Sequence, residues 1–204
     1  MATEVQIANL ALSHIGHKAD VTAIDGTEAS REAELCTMFY PQARDVVLER
    51  HPWKFTMRRA AASAVSEEVL GWDYVYAMPT EYMRIHAVLP EEFADEYEHD
   101  VEYPFQIETL DDGTEVIVSD VENAVLRFQV RVTDTAKFPP SVTSAISYML
   151  ASLLAGPLIK GGEGIAESKR CREMAEVEVL QAMVNDGRQR KVVPEHVVPW
   201  LAVR

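Results

Sequence analysis

Pro139-Pro140-Ser141-Val142-Thr143-Ser144-Ala145-Ile146-Ser147-Tyr148-Met149-Leu150-Ala151-Ser152-Leu153-Leu154-Ala155, followed by Gly161-Gly162-Glu163-Gly164, opens the stretch 139–185 whose reading decides the fold. Proline suits a first helical turn, where the backbone N–H has no intrahelical partner. Val142, Ala145, Ile146, Met149, Leu150, Leu153 and Leu154 recur at three- and four-residue steps and predict a helix with a broad apolar stripe. The glycines of 161–164 read as the joint that ends it. Beyond the joint, Cys171, Met174, Ala175, Val177, Leu180 and Val184 predict the buried side of a second long helix. Glu167, Lys169, Arg170, Arg172, Glu173, Glu176 and Glu178 fill much of its remaining surface. A short joint makes the two helices antiparallel neighbours. Neither can bury its stripe alone, so earlier helices must pack on this hairpin.

Working outward, residues 3–17 read as a first helix. Thr3 caps it, Val5, Ala8, Leu12 and Ile15 share a face that Ile7, Leu10 and Ala11 widen, and Gly16 ends it. A second helix runs from Thr27 or Ser30 to Arg50 with the stripe Leu35, Phe39, Ala43, Val46 and Val47. Pro41 lies inside it and predicts a kink or break near 38–41. Trp53, Phe55 and Met57 then alternate with polar residues as a strand does. Extended pieces follow at 71–79 and 82–89. Asp111-Asp112-Gly113, between 103–110 and 114–119, signals a hairpin. Leu126, Phe128, Val130 and Val132 alternate with Arg127, Gln129, Arg131 and Thr133, a strand with one buried and one wet face.

The expected architecture is therefore α+β. A core of about four helices (1–52 plus 139–186) carries an inserted antiparallel β lobe (53–138), and an extended C-terminal arm occupies 187–204.

The formal net charge is −14 over 204 residues, with 48% hydrophobic content. That content supports a substantial core, and the acidity argues against a nucleic-acid wrapper, which needs clustered Lys and Arg. The charge is uneven: residues 187–204 carry a net +3, leaving −17 on the rest. Cys36 and Cys171 fall within helical patterns and read as small buried hydrophobes in a reducing compartment. No run of about 18 apolar residues is evident, so no membrane span is expected, and the start lacks the basic region of a signal peptide.

Catalytic signals are absent: no Ser/His/Asp arrangement, nucleophile elbow or spaced carboxylate pair is recognisable. His14 and His17, with Cys36 in the next helix, lack further ligands at metal-site spacing. The acidic stretch Glu91–Glu102 lacks the spacing and glycine of a calcium loop and reads as a solvated loop. The glycines of 161–164 do not follow a strand, so they do not read as a phosphate loop. No catalytic, metal or cofactor residues are assigned. The residues singled out for partner binding are Arg188, Arg190, Lys191, Val193, Val197, Val198, Pro199 and Trp200, a basic-then-apolar arm too short to fold alone. Exposed on a monomer, its Trp and Val side chains would be an aggregation liability, so docking on another subunit or partner is favoured over fold-back.

Several phrases together resemble the tail tubular protein A family of short-tailed bacteriophages, the head-to-tail adaptors beneath the portal. They are Ile7-Ala8-Asn9-Leu10-Ala11-Leu12-Ser13-His14-Ile15-Gly16; Tyr40-Pro41-Gln42-Ala43-Arg44-Asp45; Pro52-Trp53-Lys54-Phe55 with Arg59; Trp72, Tyr74-Val75-Tyr76 and Pro79; the Arg84 strand; Phe138-Pro139-Pro140; Leu153-Leu154-Ala155; and Pro199-Trp200. The resemblance covers most of the chain, with the acidic stretch 91–102 as its weakest match. It implies a structural virion protein of the tail, assembled in the host cytoplasm, without catalytic residues or cofactors. It implies a homo-oligomeric ring, dodecameric on the family's pattern, that binds the portal protein and offers a platform for tail nozzle and fibre proteins. DNA would pass through the bore during ejection without specific binding, and no membrane is involved. An acidic bore suits that passage. Two other classes compete: a metal-dependent hydrolase or enzyme accessory using His14, His17 and the acidic loop, and a monomeric helical regulator.

Overall fold

The structure is a computed structural model that describes residues 2–93 and 103–189. Its elements run α1 (Glu4–His14), α2 (Arg31–Glu49), β1 (Met57–Ala61), β2 (Tyr74–Ala77), β3 (Tyr82–Leu89), β4 (Phe105–Thr109), β5 (Glu115–Ser119), β6 (Val125–Val130), α3 (Pro140–Leu158) and α4 (Gly162–Arg188). The α+β architecture with a four-helix core is as the sequence predicts.

The centre of the core is α3. Pro140 occupies its first turn, and Val142, Ala145, Ile146, Met149, Leu150, Leu154 and Ala155 are buried, as are Ser147, Ala151 and Ser152 on other sides. Burial on several sides follows from packing against α1, α2 and α4 at once. Its small residues let those neighbours approach. Over Pro140–Leu158 the mean hydropathy reaches 1.3, so the expectation of no apolar run long enough for a membrane is corrected: α3 has that length and composition, with 56% of the stretch buried inside the protein.

Thr3 caps α1 in a reciprocal box: its hydroxyl accepts from Gln6 N, and the Gln6 side chain accepts from Thr3 N. Such a box satisfies two otherwise unpaired donors. The buried face is Ile7, Ala8, Ala11, Leu12 and Ile15, while Leu10 is left exposed. Ser30 caps α2, which runs unbroken through Pro41, so no break occurs there. Pro41 is exposed. The inward stripe of α2 is Ala33, Cys36, Tyr40, Ala43 and Val47; Ala43 and Val47 are buried as expected, while Leu35, Phe39 and Val46 are only partly buried at its margin. Between α1 and α2, Glu28 accepts from Thr22 N, Thr22 Oγ1, Ala23 N and Ser30 Oγ, and this fourfold donation pulls its carboxyl down to about 2.

The turn from α3 to α4 is tighter than the glycines suggest. Gly161 takes φ 78° and α4 begins at Gly162, so Glu163 and Gly164 are already helical. Gly164 is needed for close approach: a Cβ there would stand 2.0 Å from the carbonyl oxygen of Ile159.

Trp53 and Phe55 are not in a strand. They lie in the turns leading to β1, where Trp53 is fully buried in the helical core and donates Nε1–H to Val47 O at 3.2 Å. The strands form two antiparallel sheets in the orders β1-β6-β3 (sheet A) and β2-β5-β4 (sheet B). Ile85, Val88, Leu126 and Phe128 of sheet A pack with Tyr76 and Ile117 of sheet B. The outer face of sheet B, Val75, Val116 and Val118, is covered by Val65, Val69, Trp72 and Leu110. Strand β5 is thus buried on both faces, which explains its continuous apolar run in place of alternation. The hairpin at 111–113 forms as expected, with Gly113 at φ 85°.

Strand β6 departs from the expected wet face. It is the middle strand of sheet A, and Gln129 is 1% exposed. Its Nε2 donates to Leu48 O at 2.6 Å and His51 O at 3.2 Å, capping the C-terminal carbonyls of α2. This ties the lobe to the core through a polar side chain that a binary apolar pattern does not reveal.

Candidate functional site

The longest element carries the clearest surface signal. Helix α4 spans 27 residues, about 40 Å at 1.5 Å per residue. Its inward face is Gly164, Cys171, Ala175, Val179 and Ala182, mostly small residues that let it lie close against α3. The expected inward stripe is corrected here: Val177, Leu180 and Val184 are 56%, 62% and 50% exposed. At steps of three and four they line one side of the helix. Packing against α3 takes the row Cys171, Ala175, Val179 and Ala182 and leaves the competing apolar row outward.

The end of α4 is pinned to the junction with the lobe. Asp186, 6% exposed, accepts from Lys54 N at 3.4 Å and lies 3.4 Å from His51 Nε2, while its carbonyl accepts from Lys54 Nζ at 2.5 Å. Residues 171, 175, 179, 182 and 186 follow one helical stripe, so Asp186 is an acid at a core position. Helix α4 continues through Gly187 to Arg188, with Gln189 as its C-cap. Arg188 sits exposed in the last turn, where a cation favours the helix dipole. Arg190, Lys191, Val193, Val197, Val198, Pro199 and Trp200 lie outside the described residues.

His14 and His17 make packing and pairing contacts. The His14 ring stacks on Tyr148 with centroids 3.7 Å apart. Ser147 Oγ donates to Ser144 O at 2.8 Å, so the 3.0 Å contact between His14 Nε2 and Ser147 Oγ has the ring nitrogen as donor. Burial, aided by nearby Arg170, holds His14 below the ordinary imidazole range. His17 Nδ1 faces Glu32 at 3.6 Å. Cys36 is buried and unpaired, its thiol pushed up to about 12 by burial and then by Glu32 and Glu28. Cys171 is also buried, which raises its thiol, and Arg170 and Glu167 pair beside it. Both cysteines occupy the core positions expected of them. Among the described residues no group of three His, Cys, Asp or Glu side chains is placed to hold a metal ion. Most of the acidic stretch 91–102 lies outside the described residues; Glu91 and Glu92, at its start, line an open pocket with Pro90, Glu122 and Asn123.

No protein-family model matches this chain, and no curated protein matches it.

Proposed function

We propose that the protein is a structural assembly subunit, a phage head–tail adaptor that forms a ring beneath a portal and extends the DNA channel into the tail. The observation that carries the assembly reading is the exposed apolar side of α4. Val177, Leu180 and Val184 form a continuous row on a helix whose inner face is already satisfied. A long rigid helix with a second apolar side suits lateral packing of neighbouring subunits. The adaptor identity rests on the sequence resemblance, and the helical core with a β lobe accords with it. The self-partner is a ring of copies, the axial partners are portal, nozzle and fibre proteins, and the setting is the tail of the virion. The basic-then-apolar sequence 188–200 supplies the proposed portal contact, with Arg188, Arg190 and Lys191 meeting acidic surface and Val193, Val197, Val198, Pro199 and Trp200 meeting apolar grooves. Removing 192–204 is expected to leave the core folded and to abolish portal attachment in a pull-down with the portal protein. Attachment at wild-type strength would refute the arm's role.

A further inference from the structure

The exposed row Val177, Leu180 and Val184 runs to the end of α4, where the chain leaves the described residues. Val184 lies one turn before Arg188, the last helical residue, and Val177 lies about 16 Å before it at 1.5 Å per residue. A contiguous apolar row left bare drives copies of a chain together, whereas an adaptor subunit has to stay apart from its copies until it meets the portal. A cover for the row is therefore expected in the free chain, and the sequence beyond the helix supplies one. Residues 190–204 follow directly on Gln189, the C-cap of α4. Eight of these fifteen residues are Val, Leu, Ala or Trp, so the segment has apolar surface of its own to bury. Pro194 and Pro199 oppose a continuation of the helix. At about 3.3 Å per residue the extended segment reaches about 50 Å, well beyond the distance back to Val177. Charge points the same way. From Glu173 to Asp186, α4 carries four acids and no base, while 190–204 carries three bases (Arg190, Lys191 and Arg204) and one acid, Glu195. Glu176 pairs with Arg50 and Glu173 lies 3.9 Å from Lys169, so the attraction is one of net charge, and apolar burial carries the contact.

We propose that residues 190–204 lie back over the row Val177, Leu180 and Val184 in the free subunit and yield it to a neighbouring copy when the portal takes the segment. This rests on the reading of that row as the subunit interface. Sequence alone favours docking of the segment on a partner over fold-back; the exposed row gives fold-back a seat, and the two become successive states. A segment tethered at the end of the row has a local concentration on the order of millimolar there, above that of a second copy in dilute solution. The portal shifts the balance by its affinity for the released segment, so ring formation follows portal contact.

The test is maleimide alkylation of V177C in the full chain, with L70C as the reference. Val177 is distant from the chain exit and cysteine is close to it in size, so the row persists; Leu70 is fully exposed between β1 and β2. The native Cys36 and Cys171 are both 0% exposed and react only as slow background. The variant V197D/V198D/W200D puts carboxylates into the covering segment, and unchanged melting temperatures establish that each variant folds. V177C should react at least about tenfold faster with the variant segment than with the natural one, as for a cover closed about nine-tenths of the time, while L70C changes less than about twofold. The protection should be the same at every concentration where the protein is monomeric. Equal V177C rates with either segment, or protection that grows with protein concentration and so comes from a second copy, would overturn the proposal. Failure of the interface reading registers separately, as unimpaired assembly of L180D with the portal, and leaves the alkylation ratio unaffected.

Discussion

Tyr40 illustrates how a single residue can be placed against its own chemistry. Its side chain is 3% exposed, and its hydroxyl is buried without a hydrogen-bond partner. A buried hydroxyl left unpaired forfeits its hydration, so Tyr40→Phe is expected to raise unfolding free energy by about 1 kcal/mol in urea titrations. A loss of stability would mean that the hydroxyl has a partner. His14 and His86 act through pH. Burial is the leading cause holding both below the ordinary value of 6.5 in the folded protein. The unfolded chain therefore binds more protons once pH drops below about 6.5, and stability that is complete above that value is lost as pH falls through the lowered folded values. The denaturation midpoint should fall on acidification below about 6.5, and H14Q/H86Q should flatten that dependence. An unchanged slope in the double variant would assign the acid sensitivity to other groups.

Helix α4 shows which parts of an element can be read from sequence. The existence, order and antiparallel pairing of α3 and α4 follow from three- and four-residue periodicity, and the structure has them. Which apolar residues of α4 point inward does not follow, because two apolar rows compete. Packing against α3 selects Cys171, Ala175, Val179 and Ala182 and leaves Val177, Leu180 and Val184 outside. Hydrophobicity alone ranks the larger row first; steric fit reverses the order. The same limit governs Trp53 and Phe55, whose alternation resembles a strand but arises from a turn that inserts Trp53 into the core. Polar residues at core positions, Asp186 and Gln129, carry no periodic apolar signal, so the junction they build was the least legible part of the candidate site. Leu180→Asp tests the outward row. At 62% exposure the change should alter monomer stability by no more than about 0.5 kcal/mol while preventing assembly into larger species in the presence of the portal. Unimpaired assembly would remove this side of α4 from the subunit interface.

At the scale of the whole molecule, the layers run from helices to sheet A to sheet B, and then to the segment carrying Val65, Val69 and Trp72. The lobe is more than an appendage: Gln129 caps carbonyls near the end of α2, and Lys54 binds the carbonyl of Asp186 in α4. Such hydrogen bonds join the helical and β parts. The chain is acidic in total, and such a charge disfavours close approach of polyanions. The proposed function makes the chain a ring-forming adaptor. The most direct test is the mass of the purified protein alone and mixed with the portal protein of its proposed assembly. The claim predicts a monomer alone and a large complex of many copies in the mixture. A protein that stays monomeric with the portal at every concentration would contradict it.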